Sequence, residues 1–303
     1  MTQPQSGVLA EQSTHATFLT LMLAPGETAG ARRTLSTLPA MTEEVAALGG
    51  ATLLSVLAVG SEAWDRLYPG ARPAGLTPFK ALANGPLQAP STAADLLLHV
   101  RSDRHDLCFE LVHRVREALG EKVSLVEQID GFRYLDSRDL IGFVDGTENP
   151  EGEERAEVAL VDDDGAFNGG SYIALQRYIH DLPAWEALPL VEQEQAIGRT
   201  KADDIEFDSA DKAPSAHSKR AAAKEDGVSL KMLRHSMPYA LPDELGLCFI
   251  AYTKHARVFD LMLESMVMGG EEGQHDRLLD FTRAVTGARF FAPARDWLEA
   301  SGD

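Results

Sequence analysis

A chain of 303 residues, 44% hydrophobic and 25% charged, has room for about two globular units of ~150 residues and is too apolar to remain disordered. Its 47 acidic against 28 basic side chains give a formal charge of −19, which sets most of the surface against nucleic acid and anionic membranes. The opening MTQPQSGVLAEQ has neither a basic nor an apolar leader segment, and no run approaches ~18 uninterrupted apolar residues, so a cytoplasmic protein is expected.

Residues 17–23, TFLTLML, read as an apolar strand. After a Pro-Gly turn, Leu35, Leu38, Met41, Val45 and Leu48 recur at helical spacing and predict a helix within 28–48. ATLLSVLAVG (51–60) and ADLLLHVRSD (94–103) read as strands separated by a loop rich in Pro, Gly and Ala. In DLCFELVHRVREALG the residues Leu107, Leu111, Val112, Val115 and Leu119 share a helical face and Gly120 supplies the stop. VSLVEQIDGFRYL follows as another extended segment. Strand, helix, strand, strand, helix, strand is the order of a ferredoxin-like unit, an antiparallel sheet with both helices on one face.

The second half repeats this order more loosely. GGSYIALQRYIHD (169–181) reads as a strand, LPLVEQEQAIGR (188–199) as a helix and LGLCFIAYT (245–253) as a buried strand. ARVFDLMLESMVMG places Phe259, Met262, Leu263, Met266 and Val267 on one helical face; DRLLDFTRAVTG reads as a further helix and ARFFAP as the last strand. The expected architecture is α+β, two ferredoxin-like units with antiparallel sheets, spanning residues 1–150 and 151–303. Residues 200–229 interrupt it with about thirty residues lacking apolar periodicity, a length that marks a functional or disordered loop in a compact domain.

Cys108 and Cys248 sit in apolar runs and read as small buried hydrophobes, not as a disulfide or a metal site. The HExxH, paired CxxC, GxGxxG, P-loop and GxSxG patterns are all missing. Three clusters could carry chemistry: GFVDGTENP around Asp145, APSAHSKR around His217 and LKMLRHSMPY around Arg234. Asp145-Gly146 reads as a turn corner with Asn149-Pro150 as its stop, or as a carboxylate at the end of a buried strand whose pKa burial would raise. His217 alone reads as a loop residue, and Arg234 and His235 as strand residues with solvated tips.

Together, GFVDGTEN, the isolated histidine of the Ser/Ala/Lys-rich loop and the R-x-S before Met-Pro-Tyr resemble the dye-decolourising peroxidases, across nearly the whole chain and closest to the compact bacterial subgroup without a secretion signal. The resemblance implies a haem b enzyme that reduces hydrogen peroxide through a ferryl intermediate and oxidises dyes, phenolic compounds or Mn²⁺ one electron at a time. In it His217 is the axial ligand of the haem iron and Asp276 its carboxylate partner, with Asp280 the alternative. Asp145 shuttles the peroxide proton, Arg234 stabilises negative charge as the O–O bond breaks, and Ser236 holds water or peroxide. Gly142 and Gly146 let the backbone approach the haem face, Arg199 pairs with a propionate, and Leu247 and Phe249 contact the haem edge, although the last two also read as core. Tyr172, Tyr178, Tyr239, Trp185 and Trp297 are expected to be packing residues.

A haem-handling protein with incidental peroxidase activity would use the same pocket, whereas the related chlorite-decomposing fold lacks the GxxDG aspartate. A homo-oligomer is expected, dimer to hexamer. The end at LEASGD, without the long tail that directs some relatives into protein nanocompartments, makes encapsulation unexpected.

Overall fold

In the computed structural model, which describes residues 2–225, 227–270 and 273–302, the apolar runs become strands of one antiparallel sheet. The first half supplies β1 (His15–Leu23), β2 (Leu53–Gly60), β3 (Leu96–Ser102) and β4 (Val123–Phe132). The second supplies β5 (Ser171–His180), β6 (Leu233–Arg234), β7 (Met237–Leu241), β8 (Glu244–Thr253), β9 (Thr282–Ala284) and β10 (Ala288–Ala292). The first four lie in the order β4-β1-β3-β2, and the second half repeats that ferredoxin-like order as β10-β5-β8-β7. Two short seams join the halves: Tyr239 pairs with Gly131 between β7 and β4, and Phe290 and Phe291 pair with Gly60 and Val59 between β10 and β2. The ring therefore closes into a barrel, with β6 beside β8 and β9 beside β5.

Alternation along the strands sends one set of side chains inward. Phe18, Val56 and Leu97 from the first half meet Ile173, Leu175, Tyr239, Ile250, Tyr252 and Phe290 from the second in one interior cluster. Each fully buried aliphatic or phenylalanine side chain contributes about 1.5–3 kcal/mol, so this shared interior is a main source of stability.

Helices cover the outer faces. The segment expected as one helix is two, Thr28–Ser36 and Leu38–Gly49, because Pro39 at the start of the second has no N–H to continue the ladder. Leu48, expected on the buried face, is 67% exposed. Helix His105–Leu119 packs on the first half as its periodicity predicts. Helix Arg257–Met268 lays Phe259, Met262, Leu263 and Val267 over Ala174, Ala251 and Phe249, and ends at Gly269 in the left-handed region.

One local expectation changes and two segments gain an assignment. DRLLDFTRAVTG is not a helix: Asp276 caps a single turn of 3-10 helix, Arg277–Asp280, and Thr282–Ala284 joins the sheet as β9. The Asp276 side chain is held from outside that turn, and Thr282 and Val285 favour extended backbone. Met237–Leu241, to which the sequence assigns no element, is β7 despite its proline. Pro238 is tolerated because β7 meets β4 only at Tyr239. The 200–229 loop is ordered by hydrogen bonds rather than by apolar burial, with a helical turn at His217–Arg220 and a hairpin pairing Ala223–Glu225 with Val228–Leu230.

Gly246 stands where β8 lies against β5, and a Cβ there would meet the Tyr178 carbonyl oxygen at 1.9 Å. Because the clash is with backbone, Gly246→Ala is expected to destabilise the fold by about 1–3 kcal/mol, read as a lowered thermal midpoint.

Candidate functional site

His217 opens its helical turn after the buried Ala216, and the loop that carries it is tied to the segment following helix Arg257–Met268 by the Arg277 N–H, which donates to the Ser215 carbonyl at 2.8 Å. Asp276 is fixed in turn by its own N–H on the Met266 carbonyl at 2.8 Å. Its carboxylate is 0% exposed and accepts two hydrogen bonds, from the Leu278 N–H at 2.9 Å and from His217 Nδ1 at 2.6 Å. His217 Nε2 has no hydrogen-bond partner among the described residues, and the side chain remains 35% exposed. Burial works against the imidazolium, but the charge and hydrogen bond of Asp276 outweigh it and hold the pKa above its ordinary value. Asp280, the alternative partner, bonds His275 instead.

The GFVDGTENP loop is built by backbone geometry. Gly142 and Gly146 have φ of +92° and +90°, which residues with a side chain rarely adopt. A Cβ on Gly142 would meet the Lys201 side chain, so this glycine serves packing as well as the turn. Arg138 donates to the Gly142 and Lys201 carbonyls at 2.8 and 2.7 Å, and the Asp145 N–H donates to Ser137 O at 2.9 Å. Asn149, read from sequence only as a stop, clamps the loop to β6: its side chain donates to Arg234 O at 2.8 Å and accepts from Arg234 N at 2.9 Å.

That clamp puts Asp145 and Arg234 on one open cleft, shared with Arg133, Ser137 and Ser236. No side chain among the described residues hydrogen-bonds either the Asp145 carboxylate or the Arg234 guanidinium. Burial pushes Asp145 above the usual carboxylate range; Arg234 opposes the shift, Asp139 adds to it and His217 opposes it. The fields of Asp145, Arg234 and His217 thus overlap in one neighbourhood. Ser236 lines the cleft while its Oγ accepts from the Ile250 N–H at 3.2 Å. His235 does not have the solvated tip expected of it: it is buried, with Nε2 on the Val8 carbonyl at 2.9 Å.

Arg199 is already engaged, bonding Asp204 at 2.7 Å and lying 3.3 Å from Glu148 and 3.5 Å from Glu206. Leu247 and Phe249 are half-buried on the outer face of β8, opposite Tyr178 and Gln176 of β5. Sequence reasoning missed that pair: Tyr178 donates to Gln176 Oε1 at 2.9 Å, and the buried Gln176 amide nitrogen has no hydrogen-bond partner. Among the described residues no group of three His, Cys, Asp or Glu side chains could hold a bare metal ion. A single imidazole oriented by a buried carboxylate suits one bond to a metal whose other ligands come from a macrocycle.

Replacing Asn149 by Ala leaves the Arg234 N–H and C=O without their partners and is expected to destabilise the protein by about 1–3 kcal/mol in denaturant unfolding. Asp145 carries the opposite sign. Its raised pKa makes the ionised form unfavourable in the fold, a penalty present above that pKa and relieved as pH falls through it. Asp145→Asn is therefore expected to raise the thermal midpoint of the cofactor-free protein near neutral pH, with the gain shrinking on acidification; an equal gain at every pH would contradict this origin.

Known proteins match the chain along nearly its whole length. The family model described as Dyp-type peroxidase, N-terminal, matches residues 5–133, and that described as Dyp-type peroxidase, C-terminal, matches 136–297. The Dye-decolorizing peroxidase of Mycolicibacterium paratuberculosis is 42% identical over 302 residues, covering 98% of this chain and 85% of the relative. Among solved structures, DyPB from Rhodococcus jostii superposes with a TM-score of 0.95 at 41% identity over 99% of this chain and 98% of that one. The encapsulated DyP-type peroxidase from Mycobacterium smegmatis gives 0.96 at 39% identity over 99% and 98%. Matched by family models across both halves and by relatives over its whole length, the chain belongs to the Dyp-type peroxidase family.

Proposed function

We propose that this peroxidase binds haem b, which His217 would hold, and reduces hydrogen peroxide to water at the expense of one-electron donors, with Asp145 and Arg234 as the residues that would act on the peroxide. The observation that carries the reading is the placement of an unpartnered imidazole Nε2, backed by a buried carboxylate, within the electrostatic reach of both Asp145 and Arg234. Variants of Rhodococcus jostii DypB have been solved in complex with heme, and a DypB variant in complex with manganese.

Bound haem supplies the electrons that cleave the O–O bond. The chain's own residues do the rest. His217, held by Asp276, donates electron density through Nε2. Asp145 accepts a proton from one peroxide oxygen and returns it to the other, and a carboxyl with a raised pKa suits both directions better than an ordinary one. Arg234, always charged and not committed to another side chain, stabilises the negative charge that develops as the oxygens separate. Ser236, whose Oγ accepts from Ile250, has its hydroxyl hydrogen for a water or peroxide oxygen. Arg199, steadied by Asp204, offers its guanidinium to a propionate, while Gly146, Leu247 and Phe249 form part of the cradle.

The same reading takes dyes, phenolic compounds or Mn²⁺ as donors and divides the chain into units near residue 150, supported by the repeated strand order and by the break between the family models at 133–136. It includes a homo-oligomer in the cytoplasm; among the described residues no helix is long and apolar enough to cross a membrane.

The purified protein is expected to show a Soret band that His217→Ala abolishes or shifts strongly. On rapid mixing with peroxide, Asp145→Ala is expected to slow the spectral change by roughly 10²–10⁴ and Arg234→Leu by roughly 10²–10³. Unchanged rates in both variants would remove the mechanism.

A further inference from the structure

The barrel interior contains, beside its apolar cluster and the buried Arg101 and His235, a polar pair that the peroxide chemistry leaves unused. Tyr252 and His99 are both 0% exposed, and the Tyr252 hydroxyl lies 2.8 Å from His99 Nδ1. His99 Nε2 has no hydrogen-bond partner. Phe18 stacks on the imidazole at 4.7 Å, and the His235 ring sits 5.2 Å from Tyr252 and 6.4 Å from His99. A buried phenol and imidazole with an unanswered nitrogen are costly in a place where apolar residues would serve, which asks for a reason.

Register supplies one. Arg234 pairs with Ala251, and Leu233 with Tyr252. Successive strand residues face opposite sides, so Arg234 faces the cleft while Tyr252 faces the interior, separated from it by one sheet, a distance on the order of 10 Å. We propose that Tyr252 and His99 form an internal redox pair that stores one oxidising equivalent taken from the peroxide-oxidised enzyme; this rests on the haem peroxidase reading above.

The step balances within the chain. Tyr252 gives one electron to the oxidised cofactor, and its phenolic hydrogen moves as a proton to His99 Nδ1. Neutral phenol plus neutral imidazole become phenoxyl radical plus imidazolium, and the cofactor is reduced by one equivalent. Electron and proton have to leave together, because burial raises the Tyr252 pKa and disfavours a bare phenolate. His99 is available as the acceptor because burial, then Arg101 and His235, keep it neutral. The charged and titratable groups around the pair are Arg101, His235, Arg155 and Glu11, and Arg101 pushes the proton back when an electron returns. The aromatic rings packed on Tyr252 are those of His99 and His235, neither more easily oxidised than a phenol, so the equivalent stays where it is put.

The test mixes holoenzyme with one equivalent of hydrogen peroxide without a donor, freezes it at intervals and records electron paramagnetic resonance beside the optical change. The wild type is expected to give a tyrosyl radical that narrows with ring-deuterated tyrosine and is lost in Tyr252→Phe. His99→Gln, which keeps a polar side chain but no base, is expected to slow its appearance at least about tenfold. The optical response to peroxide persists in both variants. A wild-type radical signal surviving in Tyr252→Phe, or no radical in the wild type despite a normal optical response, overturns the pair. Absence of any optical response in the wild type fails the peroxidase reading and takes this inference with it. If Tyr252→Phe does not fold, electron-nuclear double resonance on ¹⁵N-histidine wild type decides: coupling of the radical to one imidazole supports the pair, and its absence overturns it.

Discussion

A carboxylate without exposed surface survives in a protein only if its lone pairs are answered, and Asp276 is answered by His217 and by the Leu278 N–H. That pair of bonds fixes more than two side chains. It caps the single turn Arg277–Asp280, lies beside the Arg277–Ser215 bond that holds the 200–229 loop there, and aims one ring nitrogen outward. Removing one partner would leave a buried charge alone, at about 3–5 kcal/mol, so the loop is ordered without any apolar face of its own.

The cleft side is organised on the opposite principle. Among the described residues no side chain hydrogen-bonds the Asp145 carboxylate or the Arg234 guanidinium, and what places them is their backbone: two glycine turns, the Arg138 bonds to carbonyls, and the two-way grip of Asn149 on the Arg234 peptide groups. Charges held by their scaffold rather than by each other stay available to a reacting molecule without first breaking a bond. In a chain of net charge −19, arginines beside a single aspartate also reverse the local sign of the field at this one place.

Much of this was legible in the residues, for identifiable reasons. The barrel strands and the long helices carry periodicities that burial imposes, so Leu107 to Leu119 and Phe259 to Val267 lie where their spacing predicts. Asp145, His217 and Arg234 were noticed as a set because of a resemblance, since taken singly each has an ordinary reading. The rest depended on long-range pairing. DRLLDF reads as helix unless Asp276 is known to be held by a residue 59 positions earlier. Asn149 reads as a stop unless its partner, 85 residues on, is known. His235 and Tyr252 gain meaning only when the ring of strands closes around them.

Among the described residues three residue pairs between strands stitch that ring across its two seams, while its interior is filled by both halves at once. Strand pairing between the halves is therefore short, and the shared hydrophobic interior does the joining together with side-chain hydrogen bonds such as those of Asn149 to Arg234 and His235 to Val8. Cut apart, either half would be an open, curved sheet with Phe18 or Phe290 bare on its concave side and two unpaired margins. A lone half would have to find another copy of itself to cover that surface. The repeated strand order is thus compatible with two former equals, but in this molecule neither can be dispensed with as a folding unit.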